Sequence, residues 1–179
     1  MKRDQAIRTA VFVALVALAV AVRLVSETPN FNAVTAAALF AGFYFRSRLT
    51  AVCVPLLAMS ISDVFLGGYG MAMMAAVYVS LFVPIAWRSV LRRGLSPLSV
   101  GSGAVSSSLV HYGLSNLAVW YFWYPHNWEG LARCYAVAVP FLANSLASNV
   151  LFAAGFFGLY AAVTQLGAKP TTQLVPEAA

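Results

Sequence analysis

Basic residues fall on alternate sides of six apolar segments, and few soluble folds tolerate that arrangement. Lys2, Arg3, Arg8, Arg46, Arg48, Arg88, Arg92, Arg93 and Lys169 flank the N-terminus, the second and fourth connections and the C-terminal tail; only Arg23 and Arg133 lie at the opposite ends. Basic residues beside a membrane segment resist translocation, so a nine-to-two split of the 11 predicts orientation as well as topology, with both termini cytoplasmic. Composition agrees: 61% of the 179 residues are apolar and 9% charged, where soluble domains carry about a quarter charged residues. The net charge of +6 needs no nucleic-acid partner, because the cations sit in short connections where they meet anionic lipid.

The segments are predicted at 6–25, 31–45, 49–66, 71–87, 98–123 and 134–165. The first begins with Lys2 and Arg3, and its run 9–22 contains Ala19-Val20-Ala21, the outline of a cleavable signal. The charge pattern over six segments favours a retained first span instead. The second segment is short against the roughly 20 residues a bilayer core requires, so a tilt or a snorkelling Arg46 is expected. Gly67-Gly68-Tyr69-Gly70 suits a tight turn between antiparallel helices. The connection 88–97 is basic, and 124–133 faces the other side. The last segment would be about 48 Å long as a helix, so it tilts strongly or its first turn belongs to the connection. The expected domains are a six-helix membrane unit over 1–166 and a polar, disordered tail over 167–179. Cys53 and Cys134 sit near opposite membrane faces, too far apart to bridge. No His/Cys cluster suggests a metal.

Several residues invite a functional reading. Ala6, Ala10, Ala14, Ala17 and Ala21 form one stripe of the first segment, and small residues let membrane helices approach closely; the stripe serves internal packing or docks a separate membrane partner. Asp63 is the one acidic residue inside a predicted span, which makes it either a functional carboxylate or an anchor for the glycine turn. Asn116 and Trp120 on the fifth segment, Asn144 on the sixth and Asn32 in the first connection converge on the outer third of the bundle. Amides, a carboxylate and aromatic walls are the usual make-up of a small-molecule pocket. Interhelical amide bonds and an interfacial aromatic belt around Trp123, Tyr124 and Trp128 are the competing explanation. His111 lies mid-segment among serines and reads as a satisfied core histidine. No nucleophile elbow, zinc motif or phosphate loop is present, so no catalytic residue, cofactor or metal is expected and the chain is not read as an enzyme.

The blocks Pro29-Asn30-Phe31-Asn32, Ala38-Leu39-Phe40-Ala41-Gly42, Pro55 to Gly67 with its Ser62-Asp63, Ser115 to Trp120, and Pro140-Phe141-Leu142-Ala143-Asn144 resemble a family of small bacterial membrane proteins. That family is in turn similar to the S components, the substrate-binding subunits of energy-coupling-factor (ECF) vitamin transporters. The resemblance covers roughly residues 24 to 160. It implies an all-α bundle of six transmembrane helices in the bacterial inner membrane, with an outward-facing pocket for a vitamin-like or metal-complex solute. It also implies a docking stripe at Ala10, Ala14 and Ala17 for a coupling membrane subunit powered by cytoplasmic ATPases. The ligand residues expected on this reading are Asn32, Asp63, Asn116, Trp120 and Asn144, with Tyr69 at the lid. A structural membrane scaffold of the cell-shape type, with no small-molecule ligand, is the alternative.

Overall fold

The computed structural model describes residues 2–68 and 70–167, and every regular element in them is helical. In chain order these are α1 (Lys2–Val25), α2 (Val34–Tyr44), α3 (Arg48–Leu66), α4 (Met71–Ser80), α5 (Phe82–Ala86), α6 (Arg88–Arg93), α7 (Pro97–Trp123) and α8 (Trp128–Gly167). Among the described residues four stretches are long and apolar enough to cross a membrane: Lys2–Val25, Arg48–Leu66, Met71–Arg93 and Trp128–Leu166. The all-α architecture is thus compatible with a multi-pass membrane protein. Helix α7 has the length, at 27 residues, but its serines lower its hydropathy. Helix α2 has only 11 residues, about 16 Å at the helical rise.

That short helix is the hub. From Ala36 to Phe43 every residue of α2 is apolar or glycine, and Ala36, Ala37, Ala38, Leu39 and Ala41 are buried. A helix apolar on all sides belongs in the middle of a bundle, and α2 touches α1, α3, α5, α6, α7 and α8. Its small residues allow the approach: a Cβ on Gly42 would stand 3.4 Å from the Ile85 Cα. Phe40, Phe43 and Tyr44 interlock with α8 through edge-on contacts, Phe40 to Phe157 at 5.2 Å and Phe43 to Tyr160 at 5.1 Å between ring centroids.

Both ends of α2 are closed by side chains, because a buried helix terminus leaves orphan backbone groups. At its start Asn32 Oδ1 accepts from the Val34 N–H at 3.0 Å. At its end Arg92 Nε donates to the Phe43 carbonyl at 2.8 Å and its Nη2 to Phe45 at 2.7 Å, while Arg88 reaches the Phe45 carbonyl at 2.8 Å and that of Arg46. Arg88 and Arg92 therefore do local structural work at the end of α2.

The structure amends three expectations. The fourth segment is a run of three helices, interrupted at Leu81 and Trp87, that stays helical to Arg93 where a basic loop was expected. Pro84 has no N–H to return to the Ser80 carbonyl, so the regular ladder fails near Leu81. The connection expected at 124–133 shrinks, because α8 starts at Trp128 and continues through Pro140 for 40 residues. Internal packing of the alanine stripe does not occur among the described residues. Ala6, Ala10, Ala14, Ala17 and Ala21 all face outward, whereas Leu15 and Ala19 turn inward. Tyr69, Lys169 and the expected tail from 168 onward lie outside the described residues.

The serine-rich part of α7 faces protein, where buried hydroxyls find hydrogen-bond partners. Ser107 and Ser108 are buried, and Ser108 Oγ accepts from Asn149 Nδ2 of α8 at 2.7 Å. Nearer the far end Tyr112 and Tyr135 each donate to a backbone carbonyl of the opposite helix, Tyr112 to Tyr135 at 2.5 Å and Tyr135 to Gly113 at 2.6 Å. The turn between the two helices is equally tight. Asn127 Oδ1 accepts from the Gly130 N–H at 2.7 Å, and a Cβ on Gly130 would collide with the Pro125 carbonyl oxygen. Gly130→Ala should cost about 1–3 kcal/mol, the usual penalty of overpacking a rigid site, read as a lower melting temperature in detergent. A variant melting with the parent would show that the turn yields freely.

Candidate solute cavity

Opposite the basic end, α1, α3 and α7 finish while α2, α4 and α8 begin. A cavity of about 420 Å³ opens among these ends. Its roof is the connection between α1 and α2. There Pro29 and Asn30 form the corner of a turn closed by the Phe31 N–H on the Thr28 carbonyl at 3.1 Å, with Asn30 at φ 60°. Proline supplies the first corner position and asparagine tolerates the left-handed second one. Asn144 Nδ2 of α8 donates to the Pro29 carbonyl at 3.0 Å, and Phe31 packs edge-on against Phe152 at 6.0 Å. The Pro-Asn-Phe-Asn block is thus a roof fastened to α8, whose Asn30 and Asn32 line the space below.

One wall carries a buried ion pair. Arg23 Nη2 stands 2.6 Å from Asp63 Oδ1, with side chains 14% and 6% exposed. That oxygen accepts no well-directed hydrogen bond and is neutralised by the guanidinium charge alone. Asp63 Oδ2 accepts from the Tyr78 hydroxyl at 2.9 Å, so the carboxylate joins α1, α3 and α4. Arg23 also donates to the Ser62 hydroxyl and, at 3.4 Å, to the Met59 carbonyl. Arg23 lines the cavity; Asp63 stands behind it.

The opposite wall belongs to α7 and α8. His111, Ser115, Asn116 and Val119 come from α7, and Cys134, Ala138, Phe141 and Ser145 from α8. Asn116 Nδ2 is held by the Tyr112 carbonyl at 2.8 Å, and its side-chain Oδ1 has no hydrogen bond among the described residues. His111 Nδ1 meets Ser80 Oγ at 2.7 Å, and the Ser80 proton is given to the Val77 carbonyl at 2.6 Å. Met59, Met73, Val77 and Leu81 complete an otherwise apolar lining. The arrangement offers a few fixed polar groups in an apolar chamber. No group of three or more His, Cys, Asp or Glu able to hold a metal occurs among the described residues.

Of the residues singled out in the sequence, Asn32 and Asn116 line this cavity and Asp63 supports it through Arg23. Asn144 holds the roof from outside. Trp120 lies elsewhere, in a shallow apolar groove with Ala76 and Val79, its Nε1 donating to the Pro125 carbonyl at 3.0 Å. Tyr69 is outside the described residues. Sequence reasoning passed over Arg23, noted only as one of two basic residues at the ends opposite the others, and took His111 for plain core. A usable signal existed: Arg23 defies the charge pattern and lies at the same end of the predicted segments as Asp63, and opposite charges at one level of a helical bundle are expected to pair.

Fold and cavity together define an all-helical protein with several membrane-length helices and a half-open cavity near one end. The chain belongs to the family described as "Family of unknown function (DUF6580)", whose model matches residues 3–172. No curated protein and no solved structure matches the chain.

Proposed function

We propose that the chain is the membrane-embedded substrate-binding subunit of a micronutrient uptake transporter, a six-span bundle of the ECF S-component kind in the bacterial inner membrane. Both termini are cytoplasmic on this reading, with α2 and α7 as the two additional spans. The cavity carries the proposal. It lies opposite the basic end, hence at the outer face under the charge rule, and its roofed, mostly apolar lining with a few convergent polar groups suits a small organic solute. The chain has no phosphate loop, so energy for release comes from a partner. The outward alanine stripe at Ala10, Ala14 and Ala17 supports a docking face for a membrane coupling subunit with cytoplasmic ATPases, since small residues permit close helix approach.

Mass spectrometry of small molecules retained by the purified protein tests the reading. A solute should co-purify, and Asn116→Leu should weaken its binding by about 1–3 kcal/mol, because a ligand donor loses its acceptor inside an apolar chamber. That is roughly a five- to 150-fold rise in Kd by calorimetry. A parent protein that retains no small molecule, and captures none from a vitamin panel, would remove the cavity from the argument and leave the scaffold reading. The docking face has its own test. Ala14→Trp should abolish co-purification of a coupling subunit while solute affinity stays at the parent value. Loss of solute binding with partner capture intact would place the stripe in the solute site's support instead.

A further inference from the structure

At the basic end a second recess, of about 320 Å³, lies between the first turns of α1 and the α2–α3 turn. Arg8 and Thr9 stand on one side, Arg46 and Thr50 on the other, over Phe12 and Phe45, whose rings meet edge-on at 6.0 Å. Arg88 and Arg92 close by are already committed to the carbonyls at the end of α2. The side chains of Arg8 and Arg46 are not: no hydrogen bond or ion pair engages either among the described residues. Two uncommitted guanidinium groups thus face a recess whose floor is aromatic.

The backbone that presents Arg46 is held in place. Arg88 binds the carbonyls of Phe45 and Arg46, and Ser47 Oγ accepts from the Thr50 N–H at 3.2 Å to start α3. Guanidinium forks match phosphate oxygens in geometry and charge. The level is that of a headgroup, since the recess sits at the ends of two helices long enough to cross a membrane. An aromatic floor beneath charged rims is matched by a molecule with an anionic head and an apolar body.

We propose that this recess binds the phosphate of an anionic glycerophospholipid, of the phosphatidylglycerol type, in the leaflet at the basic end. The proposal rests on the membrane-crossing helices and is independent of the solute cavity. Native mass spectrometry of the protein in mild detergent, with melting curves beside it, provides the test. Dioleoylphosphatidylglycerol should form a retained adduct and raise the melting temperature, whereas dioleoylphosphatidylcholine and inorganic phosphate should do neither. Arg8→Gln with Arg46→Gln should remove at least half of both effects. Lys2→Gln with Arg3→Gln, an equal loss of charge outside the recess, should keep them. Equal losses in the two double variants would reduce the site to diffuse attraction and overturn it. So would an equal response to the zwitterionic lipid, or a response to inorganic phosphate, which would make it a free-anion site. Adducts unchanged by the Arg8 and Arg46 substitutions would likewise end the proposal and leave the recess to a protein partner. Adduct counting keeps the test decisive if the variant melts lower without lipid.

Discussion

Asp63→Ala should be the most damaging single substitution at the cavity end, costing about 3–5 kcal/mol, the range for breaking a buried pair from one side. Arg23 would be left 14% exposed with its charge uncompensated, and Tyr78 would lose the acceptor that ties α4 to α3. The damage comes from the stranded charge rather than the lost attraction, so removing both charges should hurt less. Arg23→Met with Asp63→Leu is expected to recover a substantial part of the stability, since apolar replacements of buried pairs are often neutral. Unfolding followed by thermal melting and by denaturant titration in the same detergent would show it. If the double variant is as unstable as Asp63→Ala, hydrogen bonds around the pair, and not the pair itself, hold the wall. Arg23 also lines the cavity, so the rescued double variant asks separately whether its guanidinium touches the solute.

The second large effect is expected at the other end of the molecule. Arg88→Ala with Arg92→Ala would strip the donors from the carbonyls of Phe43, Phe45 and Arg46 that close α2. Hydrogen bonds from charged donors contribute about 1.5–3 kcal/mol each. Arg92 is solvent-exposed, and water replaces some of what is lost. A total of about 2–4 kcal/mol is therefore the expected cost. Lysine at both positions should restore little, because one ammonium cannot span two carbonyls as a planar fork does. Melting of the alanine and lysine doubles against the parent decides this. Full rescue by lysine would show that charge alone, and no directed bond, closes the helix.

Much of this fold was open to reading from residues alone. Apolar runs bounded by charge have few solutions, because a backbone in lipid must bond to itself; the long helices follow from that. The serines around Ser108 had to face protein for the same reason, and they do. The glycines before α4 and the Ser96-Pro97 start of α7, where Ser96 and Ser99 cap each other, are local signals that need no tertiary context. Convergence of Asn32 and Asn116 was also legible, since both stand at the ends of segments that must lie on one side.

Tertiary structure decided the remainder. Hydropathy measures how apolar a helix is, not which neighbour covers it, so α2 read only as a short apolar segment, and the packing of its alanines is what places it at the hub of the bundle. Asn116 and Trp120 share a helical stripe four residues apart, yet α7 and α8 bring the first to the cavity while the Pro125 carbonyl draws the second into a turn. Asn144 had the right depth for a ligand contact, and the fold uses it to fasten the roof. Arg23 and Asp63 are 40 positions apart along the chain, and no local rule couples them. Only the packing of α1 against α3 puts the two charges 2.6 Å apart, at a distance where desolvation makes each the other's necessary partner.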